Sequence, residues 1–111
     1  MPRPYSRARE KLSDAEYKLA TGEGDVRQRL RRAFTVLNRL RSEDLPPELR
    51  AEWRAVIAEM TRLGPEKDID GTVWRSAINH TMSRIRNRTG SKIAQRIHRM
   101  YSHICWLGAR K

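Results

Sequence analysis

Apolar residues recur along this chain at steps of three and four, and nowhere alternate with polar ones over the length of a strand. A helix turns once in about 3.6 residues, so that spacing gathers side chains into one buried stripe, whereas a half-buried strand needs a period of about two. Val26, Leu30, Ala33, Leu37 and Leu40 carry the pattern at its cleanest, behind a Gly24–Asp25 pair suited to capping, and predict a helix over 25–41. Ahead of it, Ser13 and Glu16 have the spacing of a capping box, and Leu12 and Tyr17 that of a hydrophobic staple. Together they predict a helix over 14–21, ended by Gly22.

"SEDLPPELR" closes the second helix and opens a third over 46–63, with acids and a proline in its first turn and Gly64-Pro65 as its stop. Its inward face is Leu49, Trp53, Val56, Ile57, Met60 and Leu63. "EKDID" reads as an acidic link. A fourth helix is expected over 71–87, with Trp74, Ala77, Ile78, Thr81, Met82 and Ile85 on one side, and both Trp53 and Trp74 are expected to be mostly buried. "RTGS" reads as the next break. Thr89 or Ser91 then caps a fifth helix over 91–106, which turns Ile93, Ile97, Met100, Tyr101, Ile104 and Leu107 inward. The expected fold is all-α, a single-domain bundle of about five helices with short connections. At 111 residues the chain supports one core and little more. Residues 1–12 form a basic N-terminal arm, partly flexible or holding an earlier helical turn, and 13–111 the helical domain.

Charge is distributed unevenly. All 13 acids lie in the first 70 residues, where 15 Lys/Arg leave a net of +2, and the last 41 residues carry nine Lys/Arg and no acid. The bases are regularly placed. His80, Arg84 and Arg88 recur at steps of four along the expected fourth helix, and Lys92, Arg96, Arg99 and His103 share one face of the fifth. Like charges at this spacing repel by roughly a few tenths of a kcal/mol per neighbour, so something outside this third of the chain must neutralise them. A polyphosphate backbone does so best, because it releases counterions as it takes up cations. The 19 Arg against 5 Lys suit two-pronged phosphate contact, although a GC-rich genome yields the same bias.

Arg75, Arg84, Arg86, Arg88, Lys92, Arg96 and Arg99 are the candidate phosphate contacts, and Gln95 the candidate reader of a base edge. The expected function is nucleic-acid binding, to DNA or RNA, through the last two helices. The alternative is a protein-interaction module, a subunit, adaptor or inhibitor, that docks an acidic partner on the same face. A subunit of a larger nucleoprotein complex satisfies both. An anionic membrane has only Trp106 on a basic helix in its favour, and no membrane partner is expected.

Other chemistry is poorly served. Some helical ribonucleases place four to six residues between an Arg and the His that follows it, a spacing met by Arg75–His80 and Arg96–His103. With 19 Arg and three His, chance alone supplies about 1.5 such pairs. No acid lies near either histidine in sequence to orient it as a general base. No catalytic residue is assigned. "TGEGD" lacks the lysine of a phosphate loop, and the single Cys105 reads as a small buried hydrophobe, so no cofactor, metal or disulfide is expected. No apolar run nears the ~18 residues of a membrane span, and "MPRPYSRAREK" has no signal core, which predicts a cytoplasmic protein.

Three segments, "LATGEGDVRQRL" (19–30), "LPPELRAEW" (45–53) and "RIRNRTGSKIAQRIHRMY" (84–101), resemble a family of small helical proteins seen mainly in proteobacteria. The resemblance spans roughly residues 13–104. It implies a compact helical protein and brings no activity, cofactor or site residue with it.

Overall fold

In the computed structural model, which describes residues 5–109, the clearest apolar stripe becomes helix α2 (Val26–Leu37). Asp25 caps it as expected, its carboxylate accepting from the N–H groups of Arg27 and Gln28. The Arg27 side chain, ahead of the Gln28 N–H, holds that carboxyl below its ordinary value of 3.8. A carboxylate so depressed adds stability that is full above 3.8 and is lost as pH falls through the lowered value. Asn keeps a capping side chain without the charge. Asp25→Asn should therefore make thermal unfolding less sensitive to pH below about 4 than in the wild type.

Helix α1 (Ser6–Thr21) starts eight residues earlier than the capping box suggested. Ala8, Leu12, Ala15 and Leu19 are buried at steps of four, three and four, a stripe as regular as that of α2, and it overrides the local cap signal. Ser13 sits mid-helix and exposed, so the expected boundary at residue 12 falls inside α1. Arg7, assigned to the arm, donates to the Arg39 carbonyl and pairs with Asp44 at 3.4 Å. Arg3 lies outside the described residues.

A short 3-10 turn (Ser42–Asp44) leads into α3 (Pro47–Met60), which has proline at its first position. Trp53 is half-buried against the core, its indole N–H donating to the Leu37 carbonyl at 3.2 Å, and Leu63 is exposed beyond the helix end.

The expected fourth helix is the main correction. Its first turn is instead the second strand of a hairpin, β1 (Glu66–Lys67) pairing antiparallel with β2 (Val73–Arg75). Gly71 takes φ +87° in the connecting turn, where the Asp70 carboxylate accepts from the Thr72 N–H. Val73 and Trp74 suit a strand, and Ser76 caps the shorter helix after it, α4 (Ala77–Arg84). Trp74 is 55 % exposed, not buried. Trp74→Ala is expected to change stability by no more than about 0.5 kcal/mol, and Trp53→Ala to cost about 3 kcal/mol. Urea unfolding of the two variants measures both.

α4 ends at Arg84, Ile85 after it is in extended backbone, and α5 (Asn87–Ala109) begins two residues beyond Ile85. "RTGS" is thus no break and neither Thr89 nor Ser91 is a cap. Gly90 is buried within α5, where an added Cβ would lie 3.0 Å from Val26 Cγ1, so the glycine serves close approach to α2. Arg27 reaches across to donate to the Ile85 carbonyl at 3.1 Å, satisfying the end of α4. α5 packs on α1, α2 and α3, burying Ile93, Ile97, Met100 and Ile104, with Tyr101, Cys105 and Leu107 half-buried. The described chain is an all-α bundle of five helices with one small hairpin. No helix among the described residues is long and apolar enough to cross a membrane.

Candidate nucleic-acid interface

The solvent face of α5 follows from its buried one. Opposite Ile93, Ile97, Met100 and Ile104 stand Arg88, Lys92, Gln95 and Arg99, at steps of four, three and four, all exposed. Neighbouring positions lean to one side or the other. Arg96 and His103 lean towards α3, where they meet Glu52 and, at 3.1 Å, Glu48. His98 leans towards α1 and meets Glu16 at 2.7 Å. Its own backbone N–H, and after it the His103 ring, hold the Glu48 carboxyl below the usual carboxylate range.

A second cluster surrounds Glu66 of the hairpin. Arg75 lies 3.6 Å from its carboxylate, the His80 ring 3.5 Å and Arg84 4.0 Å. His80 is held from the other side by the Gly64 carbonyl, 3.0 Å from Nδ1, and Arg75 donates to the Ser83 hydroxyl at 3.1 Å. Four glutamates from the first 66 residues thus meet six bases of the acid-free last third.

The eight candidate residues fall into two groups. Arg75 and Arg96 are engaged by Glu66 and Glu52, and Arg84 is loosely so, its side chain still 64 % exposed. The side chains of Arg86, Arg88, Lys92 and Arg99 make no ion pair or hydrogen bond among the described residues, and that of Gln95 makes no hydrogen bond there. The expected row of His80, Arg84 and Arg88 does not exist as one helix face, because the chain breaks between Arg84 and Asn87. The free cations instead run from the α4–α5 joint up the crest of α5. A groove of about 370 Å³ flanks the crest on the α1 side, floored by Leu19, Ala20 and Ala94. Another of about 460 Å³ lies on the α3 side beside Leu49 and Met100, and Arg99 stands on the lip of both.

Each histidine has a carboxylate that sequence proximity did not offer, and Ser102 Oγ lies 3.4 Å from His98 Nε2. Serine, histidine and glutamate in that order are the parts of a nucleophilic relay. Here the serine and histidine sit on the outer surface of a continuous helix whose amides bond their own carbonyls, so no pair of backbone N–H groups is aimed at an oxyanion. The His98 side chain is 63 % exposed, and water competes for each of its hydrogen bonds. No group of three His, Cys, Asp or Glu among the described residues is placed to hold a metal ion. Compared with protein-family models, curated proteins and solved structures, the chain matches none.

Proposed function

We propose that this protein binds nucleic acid through the phosphate backbone, using the crest of α5 and the joint before it. Arg86, Arg88, Lys92 and Arg99 are the primary contacts and Arg84 an accessory one. Gln95, exposed between Lys92 and Arg99, is the side chain we assign to reading a base edge. Arg75 and Arg96 act mainly within the protein. The observation that carries this reading is the set of four cations left without an acid on one exposed track after the chain's own glutamates have reached six neighbouring bases. Such a track binds any polyanion whose charges repeat along a line, and phosphodiester chains are that ligand.

The two apolar-floored grooves beside the crest favour a second reading, an acidic protein partner seated along α5. Titrating the purified protein with duplex DNA, duplex RNA and single strands over a salt series separates the two. Binding at about 50 mM salt that weakens linearly in log salt supports nucleic acid. No binding to any of them at that salt rejects it and leaves the protein partner.

A further inference from the structure

We propose that Trp74 is a base-stacking platform, so that the ligand of this surface is a single-stranded or unpaired stretch of nucleic acid rather than a continuous duplex. The inference rests on the α5 crest being the phosphate track. Pairing of Glu66 with Arg75 and of Lys67 with Val73 leaves Trp74 as the extra residue of a bulge, the device that turns a side chain out of a ladder. Trp74 is 55 % exposed, beside the equally open Val73 of the same strand. The Arg75 guanidinium lies over the ring, 4.6 Å from its centroid, and so backs one face of a side chain that is more than half exposed.

The ring is also in the right place. The guanidinium that backs it donates to Ser83, in the last turn of α4, so the indole stands beside the end of α4 where Arg84, Arg86 and Arg88 begin the cationic track. An open aromatic face joined to a row of cations is the two-part arrangement that holds single strands, with bases stacking and phosphates following the charge. Bases inside a duplex are stacked on each other and have no face to offer. The carboxylates Asp68 and Asp70 occupy the hairpin turn and repel phosphate there, so the strand runs from Trp74 towards Arg84 and α5 rather than over the turn.

The test compares an oligo-deoxythymidine of about a dozen nucleotides with its duplex on oligo-deoxyadenosine, by fluorescence anisotropy at fixed low salt. Trp74→Ala should weaken single-strand binding about 10-fold and duplex binding by less than about two-fold, and Trp74→Phe should restore most of the loss. Unchanged single-strand affinity in Trp74→Ala, with the wild type binding well, overturns the platform and leaves the phosphate track standing. Loss of self-association in Trp74→Ala with strand binding intact overturns it too, and assigns Ile69, Val73 and Trp74 to a protein contact. If the wild type binds neither form, the track and the platform fall together. Circular dichroism of Trp74→Ala confirms that its helices persist.

Discussion

Changing Arg86, Arg88, Lys92 and Arg99 together to Gln is expected to remove nucleic-acid binding almost entirely at moderate salt. Four phosphate contacts give a slope of log K against log salt of about −3.6 on duplex DNA, and a four-fold rise in salt then costs the wild type about 150-fold in affinity. The quadruple variant loses that slope, and Arg88→Gln with Lys92→Gln halves it. The control is the other pair of candidates. Arg75→Gln with Arg96→Gln removes as many charges as the double change on the crest, yet frees Glu66 and Glu52 rather than phosphate sites. It should leave the slope nearly unchanged. A slope that follows the number of cations removed, wherever they lie, would show that net charge and not the crest is what binds. Far-ultraviolet circular dichroism checks that each variant folds, as it should, because all four crest side chains are exposed.

Ile97→Ala should be the most destabilising single truncation on α5. Ile97 is fully buried near the middle of the one helix that packs on α1, α2 and α3 together, so the cavity it leaves cannot be closed by moving a single neighbour. The expected cost is about 2–5 kcal/mol, out of a total that for domains of this size runs to about 5–15 kcal/mol. The urea midpoint should fall with little change in slope. Affinity for nucleic acid, measured where the variant is still folded, should stay near the wild-type value, since the crest lies on the opposite face. A midpoint near that of the wild type would mean that α5 does not hold the bundle together.

The core was readable wherever burial follows a long periodic stripe. α2, α3 and the inward face of α5 are seen where spacing puts them, to within a few residues at their ends. The errors have local causes. Ser13–Glu16 imitates a helix start because the capping pattern is short, and the stripe from Ala8 to Leu19 decides otherwise. Trp74 falls in step with Ala77, Ile78 and Thr81 by coincidence, and Gly71, Ser76 and the β-prone Val73-Trp74 pair were the signals of a turn, a cap and a strand. Gly90 looks like a breaker from propensity alone, yet it lies within α5, buried where a Cβ would stand only 3.0 Å from Val26 Cγ1 of α2.

The chain's order alone determines that this protein is helical, which residues form the stripes of α2, α3 and α5 that make up much of its core, and that its last third is a block of positive charge. Which charges in the block remain available is decided only by folding. Arg96 meets Glu52, His103 meets Glu48 and His98 meets Glu16 across 44, 55 and 82 residues of chain. Lys92 and Arg99 lie about a turn from those bases along the same helix and Arg88 about two turns away, and their side chains meet no acid. Coulomb attraction falls with distance in space, not in sequence. The fold therefore sorts a uniform run of cations into those that brace the bundle and those that face outward.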